Sequence, residues 1–288
     1  MAYPEYSPRC LRLTEHVISM NPAHYTVWLY RFSIIKMLDL PVPEEIAWVN
    51  EVALQHLKNY QIWHHRHQLI DHYFPQISDS PDKVAALARS ETEFLRIMLA
   101  EDTKNYHVWS YRQYLARRLH NFTPAELAAT EAFIDADVRN NSAWSHRFFL
   151  VFSDPETTTP TSHSTERDPA VPPAIVDREL AYARAKIALA PQNQSPWNYL
   201  RGVLVKGGRA LASVEPFVAQ FVADLGDAEK EEVKSSHALD LLAEIYAEKG
   251  DRAKADLCLR QLAGKWDRIR EGYWEWRRKL LVEGATEE

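Results

Sequence analysis

A tryptophan that returns at the spacing of a helical repeat constrains this chain more than any other feature of its sequence. Five tryptophans lie 35, 46, 35 and 53 residues apart, namely Trp28, Trp63, Trp109, Trp144 and Trp197. Each of the first four is followed three residues later by an arginine, and after Trp197 the arginine comes one place late, at Arg201. Such a period is typical of repeats made of two helices and a turn. Positions i and i+3 share one helix face, so we expect the tryptophan to pack between repeats with the arginine stacked or paired beside it.

The residues around the tryptophans predict where the motif helices begin and where the other helices of the pairs lie. An asparagine or serine shortly before each tryptophan suits an N-cap, which places the motif at the start of the second helix of a pair. Apolar residues at helical spacing predict helices over 44–57, 82–99, 124–138, 174–190, 235–248, 252–263 and 265–281, and no segment alternates as a strand would. The sequence therefore predicts an all-α fold without a sheet, a single domain over 1–288 that forms an α–α superhelix of about thirteen helices.

One segment interrupts the array. Residues 153–173 contain five prolines among serines and threonines. Proline and short polar residues in such a cluster predict a long exposed loop with the composition of a disordered segment.

Composition excludes several classes of protein. The chain has 34 basic and 40 acidic residues and a formal charge of −6, which is unlike a nucleic-acid-binding protein. Its two cysteines form no CxxC pair, so neither a disulfide framework nor a thiolate zinc site is expected. Residues 1–7 lack the features of a signal peptide, and no apolar run is long enough to cross a bilayer, so the predicted location is the cytoplasm.

The positions just before two of the tryptophans repeat almost unchanged. Lys58 to Gln61 reads Lys-Asn-Tyr-Gln, and Lys104 to His107 reads Lys-Asn-Tyr-His. A helix start carries the positive end of the helix dipole, and cationic and polar side chains there suit an anion such as a diphosphate or a carboxylate. The alternative is that these lysines and asparagines only cap two similar turns.

Histidines next to the second motif raise the question of a metal. His64, His65, His67 and His72 lie close in sequence, but they form no HExxH pattern and have no carboxylate at the spacing of a two-His-one-carboxylate site. We therefore predict no metal bound by this chain, with these histidines packed or exposed.

The repeated pattern [Lys/Arg]-Asn-x-x-x-Trp-x-x-Arg resembles the protein prenyltransferase α-subunit repeat. Four stretches are similar in sequence to the α subunits shared by protein farnesyltransferase and geranylgeranyltransferase type I. They span 58–66, 102–109, 137–144 and 195–204. The resemblance implies a heterodimer whose β subunit holds a catalytic zinc, and an enzyme that is active only in that heterodimer. Its substrates would be farnesyl or geranylgeranyl diphosphate and proteins that end in a CaaX sequence. It leaves open whether magnesium accompanies the diphosphate.

The resemblance also assigns roles to residues. Lys58 matches a lysine that reaches the diphosphate and assists its departure, and Gln61 matches a residue that hydrogen-bonds the C-terminal carboxylate of the CaaX peptide. The other matching positions surround the diphosphate and peptide channel: Tyr25, Tyr60, Lys104, Asn105, Tyr106 and His107. For Lys104 a structural role stays the alternative.

Two other functions remain open from the sequence. One is the α subunit of a Rab geranylgeranyltransferase, which shares the fold but receives its substrate differently. The other is a non-catalytic helical-repeat scaffold, the common role of such arrays. The residues of the second to fifth motifs favour the CaaX enzyme over the Rab enzyme, and the polar residues ahead of each tryptophan argue against a scaffold. The resemblance leaves the choice of isoprenoid to the β subunit.

Overall fold

The computed structural model describes residues 4–227 and 229–283, and this part of the chain is dominated by α-helices. The first ten are α1 Pro8–Met20, α2 Tyr25–Met37, α3 Val42–Gln55, α4 Tyr60–Ile77, α5 Pro81–Glu101, α6 Tyr106–Arg118, α7 Pro124–Ala136, α8 Asn141–Phe152, α9 Pro173–Leu189 and α10 Gln194–Gly207. They are followed by the one-turn helix α11 Glu215–Val218 and by α12 Ser236–Glu248, α13 Arg252–Gln261 and α14 Glu271–Glu283.

The helices belong to two compact units. One spans Met1–Glu126 and the other Leu127–Glu288. In the first unit α2 packs against α4, and α4 packs against α6, so the second helices of successive pairs are neighbours. In the second unit α8 packs against α10 in the same way. The single domain over 1–288 stays a prediction.

Two details of the second unit differ from the sequence prediction. A short antiparallel ribbon pairs β1 Val222–Ala223 with β2 Glu232–Val233, so the expectation of no sheet is wrong. Strands of two residues are too short to show an alternating pattern. The helix predicted over 265–281 begins only at Glu271, because a π-helical turn over Leu262–Trp266 and a 3₁₀ turn over Arg268–Arg270 come before it.

The predicted N-caps are confirmed at four of the motif helices. The side chains of Asn59, Asn105, Asn140 and Asn193 accept hydrogen bonds from backbone N–H groups in the first turns of α4, α6, α8 and α10. Two of these asparagines also reach back to the preceding repeat. Asn105 Nδ2 donates to the Leu57 carbonyl at 2.8 Å, and Asn193 Nδ2 donates to the Val138 carbonyl at 2.7 Å. One side chain thus starts a helix and fixes it to its neighbour.

The repeated tryptophans are core residues, as their spacing predicts. All five are at most 4% exposed. In four of them the indole N–H donates to the backbone carbonyl six residues earlier, at 2.8 to 2.9 Å; these are Trp28, Trp109, Trp144 and Trp197. The bond satisfies the polar edge of a large buried ring and closes the turn in front of its helix.

Each arginine of the first four motifs reaches a buried glutamate on the next first helix. The pairs are Arg31–Glu45, Arg66–Glu91, Arg112–Glu126 and Arg147–Glu179, with nitrogen–oxygen distances of 2.5 to 2.7 Å. Three of these guanidinium groups also stack on an aromatic ring of that helix, with centroid distances of 3.6 to 3.9 Å; the rings are Trp48, Phe94 and Tyr182. The arginine therefore both pairs and stacks.

Glu45, Glu91 and Glu179 also take a second partner from the following motif helix. The residue two places after the tryptophan supplies it, and it is a tyrosine or a histidine. Tyr111 donates to Glu91 at 2.8 Å and Tyr199 donates to Glu179 at 2.6 Å, while His65 Nε2 lies 2.8 Å from Glu45 Oε1. Each of these three glutamates is thereby shared by two consecutive motif helices.

Burial and hydrogen bonding shift the pKa values of these groups in opposite directions. Burial alone would raise the pKa of the Glu45 carboxyl, but hydrogen bonds from His65 and Arg31 outweigh it and hold that pKa below its usual value. Burial lowers the pKa of His65, so the imidazole is neutral. One of the histidines considered for a metal is in fact an internal partner of this carboxylate.

The segment over 153–172 is a series of turns in front of α9. Its Asp168 is buried and accepts hydrogen bonds from the backbone N–H and the hydroxyl of Thr159, at 2.9 and 2.8 Å. Lys206, which is fully buried in the last turn of α10, has its Nζ 3.8 Å from Asp168 and donates to Ser162 Oγ at 2.5 Å. Among the described helices, none is both long and apolar enough to cross a membrane.

Replacement of a shared glutamate is expected to be far more harmful than replacement of a surface glutamate on the same helix. Glu91→Ala leaves Arg66 buried without its carboxylate, and such a loss costs about 3 to 5 kcal/mol. Glu93→Ala removes a solvent-exposed pair with Arg96 and is expected to leave stability unchanged. Urea unfolding of both variants measures the difference, and equal midpoints would contradict the role of Glu91.

The two cap asparagines of the first unit allow a matched comparison. Asn59→Ala removes a cap, at a cost of about 1 kcal/mol. Asn105→Ala removes a cap and also leaves the Leu57 carbonyl without its donor, so we expect about 1 kcal/mol more. Denaturant unfolding of both variants tests this, and equal losses would show that the bond to Leu57 contributes nothing.

Candidate functional site

The predicted site residues all lie in the first unit, at the starts of three neighbouring second helices. Tyr25 begins α2, the residues from Lys58 to Gln61 begin α4, and those from Lys104 to His107 begin α6. Since α4 packs against both α2 and α6, these three helix starts are neighbours in order. The repeat itself produces this arrangement, because every site residue keeps a fixed offset from its tryptophan.

Direct contacts join the turn before α4 to the turn before α6. Asn105 bonds the carbonyl of Leu57, and the Lys58 Nζ lies 3.6 Å from Asp102 Oδ2. The two Lys-Asn-Tyr sequences, 46 residues apart in the chain, are therefore adjacent in space. The sequence predicted both stretches as site residues but missed Asp102, although Asp102 opens the matching stretch 102–109 and an aspartate recurs at the same offset, Asp137, in the next motif.

The first-turn N–H groups are largely used by the caps. Asn59 Oδ1 accepts from the N–H of Gln61 at 2.9 Å, and Asn105 Oδ1 accepts from the N–H of His107 at 3.0 Å. These N–H groups are therefore not available to an anion, because the capping side chain takes them. What these helix starts offer an anion is the positive end of the helix dipole together with cationic side chains.

Three tyrosines that each precede a tryptophan by three residues are unusually exposed. Tyr25, Tyr60 and Tyr106 are 65%, 62% and 76% exposed. Large rings left in solvent add little to the core and are often recognition groups. Tyr106 keeps one ring contact, an edge-to-face arrangement with His107 at 5.8 Å.

The remaining predicted residues differ in accessibility. Lys58 is 82% exposed along its side chain, Lys104 is also exposed, and Gln61 and His107 are half-buried. Asn105 is 3% exposed and both ends of its amide are used internally. Asn105 can therefore shape the site by fixing the start of α6, while Lys58, with its cationic end in solvent, can meet a ligand.

The histidines do not gather around a common point. His65 bonds Glu45, and His67 Nδ1 lies 2.6 Å from the Trp63 carbonyl while its ring packs 4.1 Å from that of Tyr114. Burial lowers the pKa of His67. Across residues 4–227 and 229–283, no three His, Cys, Asp or Glu side chains come together in a way that could hold a metal ion.

The repeats match a known family. The model of the protein prenyltransferase alpha subunit repeat matches residues 8–38, 42–73, 88–119, 123–154 and 176–206. Each of these ranges contains one of the five tryptophan motifs, so the match rests on the same residues as the repeat.

Two relatives and a solved structure are similar over most of the chain. The protein farnesyltransferase/geranylgeranyltransferase type-1 subunit alpha of Candida albicans is 39% identical over 98% of this chain and 86% of its own length. The geranylgeranyl transferase type-2 subunit alpha of Mus musculus is 30% identical over 72% of this chain and 35% of its own length. The structure of Candida albicans protein geranylgeranyltransferase-I complexed with GGPP matches with a TM-score of 0.84 and 38% identity, over 96% of this chain and 85% of that chain.

These similarities confirm the α–α superhelix as the fold class. They also favour the type-1 group over the type-2 group, because identity and mutual coverage are both higher. The chain belongs to the protein prenyltransferase α-subunit family, in the group of α subunits of protein farnesyltransferase/geranylgeranyltransferase type-1.

Proposed function

We propose that this chain is the α subunit of a heterodimeric CaaX protein prenyltransferase. With a β subunit it would transfer farnesyl or geranylgeranyl from the diphosphate to the cysteine thiol of proteins that end in a CaaX sequence. Family membership supports the heterodimer and the class of reaction. The cytoplasm remains the proposed location.

The observation that carries the proposal is the placement of Lys58. Its ammonium lies in solvent where the turns before α4 and α6 touch, beside the positive ends of two helices. When the thiol attacks the first isoprenoid carbon, the bond to the diphosphate breaks and negative charge grows on the leaving group. A fixed cation that meets this charge lowers the barrier, since it acts more strongly on the transition state than on the substrate.

The neighbouring side chains suit the same ligands. Lys104 and His107 can add positive charge or hydrogen bonds to the diphosphate, and the hydroxyls of Tyr25, Tyr60 and Tyr106 can donate to it or line the peptide channel. Gln61 lies half-buried next to Tyr60 and has an amide able to hydrogen-bond a peptide carboxylate. Asn105 would act through the start of α6.

We assign the zinc to the β subunit, since the described residues of this chain do not gather a set of metal ligands. When bound there, zinc supplies a thiolate from the CaaX cysteine at neutral pH. The part of this chain is to bind and orient the diphosphate and to neutralise it as it leaves. Magnesium is treated as a variable of the assay.

The first experiment is co-expression with each candidate β subunit, followed by assay of farnesyl and geranylgeranyl transfer to a short CaaX peptide with and without magnesium. We expect transfer without any escort protein. Transfer that requires an escort protein and ignores the short peptide would instead support the Rab enzyme. A chain that recovers no β subunit and no activity would support the non-catalytic scaffold.

Lys58→Ala is expected to lower turnover by about ten- to a hundredfold in the heterodimer, because a cation near the leaving group is lost. Heterodimer stability should change little, since the side chain is exposed. Lys83→Ala is the matched control, an exposed lysine near the start of α5 and about 27 Å along that helix from its end at the site. Steady-state turnover and dimer melting are measured together, and full turnover in the Lys58 variant would remove its assigned role.

A further inference from the structure

Asp102 holds a fixed position between the two lysine-bearing turns. It directly follows α5, where its N–H donates to the Met98 carbonyl and its own carbonyl accepts from the N–H of Asn105, both at 3.1 Å. Its Oδ1 accepts from the N–H of Lys104 at 3.2 Å. Two main-chain hydrogen bonds therefore fix the backbone of Asp102, and a third, from the Lys104 N–H, orients its carboxylate.

The second oxygen of the carboxylate is directed at Lys58. Asp102 Oδ2 lies 3.6 Å from Lys58 Nζ, and the two side chains are 26% and 82% exposed. A lysine side chain has four flexible methylene groups and many accessible rotamers. The carboxylate is the rigid member of the pair, so it restricts where the ammonium is found.

The pair is too weak to keep the ammonium from a stronger anion. A distance of 3.6 Å is beyond hydrogen-bond contact, and exposed ion pairs contribute little net stability. A diphosphate carries more negative charge than one carboxylate and can take over the ammonium. The contact therefore suits a lysine that must be aligned before the ligand arrives and available afterwards.

We propose that Asp102 is a positioning residue for Lys58, which holds the lysine ammonium over the starts of α4 and α6 for the departing diphosphate. This inference rests on the proposed function, because it assumes that Lys58 acts on the leaving group. It adds a residue that touches no substrate and acts only through Lys58.

Asp102→Asn separates this role from that of a backbone cap. The asparagine keeps an oxygen for the N–H of Lys104, so the turn is preserved, but it removes the charge that faces Lys58. Asp82→Asn is the control for net charge, since Asp82 is exposed in the first turn of the same helix, about 30 Å along its axis from Asp102.

The test is a double-mutant cycle in the purified heterodimer, with kcat and the KM for the isoprenoid diphosphate measured for Lys58→Ala, Asp102→Asn and both together. We expect Asp102→Asn alone to lower kcat about two- to fivefold with little change in KM, as the loss of an exposed ion pair permits. In the Lys58→Ala background it should have no further effect, because the residue it aligns is gone. Asp82→Asn should leave kcat unchanged.

Each other outcome has a distinct meaning. If Lys58→Ala lowers kcat but Asp102→Asn does not, the positioning role is wrong and the proposed function stands. A loss that persists in the Lys58→Ala background would make Asp102 a structural cap, and a rise in kcat would make it a competitor of the diphosphate; both overturn the inference. If Lys58→Ala itself keeps full turnover, the role of Lys58 fails and the inference fails with it.

Discussion

The structure depends on a carboxylate that two successive motif helices share. A buried glutamate is costly unless its charge and its hydrogen-bonding capacity are both met. Here an arginine from one motif helix meets the charge, and a tyrosine or histidine from the next completes the hydrogen bonds. If either helix were absent, the buried carboxylate would lack its arginine partner or one of its hydrogen bonds. Neighbouring repeats are thus coupled by polar chemistry as well as by apolar packing.

This coupling also orients the candidate site. Glu91 of α5 accepts from Arg66 of α4 and from Tyr111 of α6, so one carboxylate ties together the two helices whose starts carry the lysines. Just after the C-terminal end of α5, Asp102 lies between the same two helix starts. The helix α5 therefore acts on the site from its middle and from its C-terminal end, although every site residue predicted from the sequence lies on a second helix or in the turn before it.

Residues that keep a fixed offset from the repeated tryptophan could be predicted from the sequence, and residues without such an offset could not. The tryptophan, the arginine three places on and the capping asparagine return at constant positions, so helix starts and the adjacency of Lys58 and Lys104 could be predicted. The glutamate partners lie 14, 25, 14 and 32 residues beyond their arginines, and no single spacing identifies them. Asp102 stands 44 residues from Lys58 and becomes relevant only when the two turns meet. The roles of the site residues came from resemblance, since geometry alone shows an accessible cation and not its substrate.

The fully buried Lys206 has a consequence for how the second unit could have acquired its longest connection. A lysine in the last turn of α10 pairs with Asp168 and donates to Ser162 and to the His163 carbonyl, so it holds the turns that precede α9 at more than one point. Residues 153–158 precede the stretch from Thr159 to Asp168 that these contacts hold. Their number can change over evolutionary time without shifting α9 or α10, provided that the lysine and the aspartate are kept together. The same unit can thus tolerate insertions at one point while the repeats on either side stay in register.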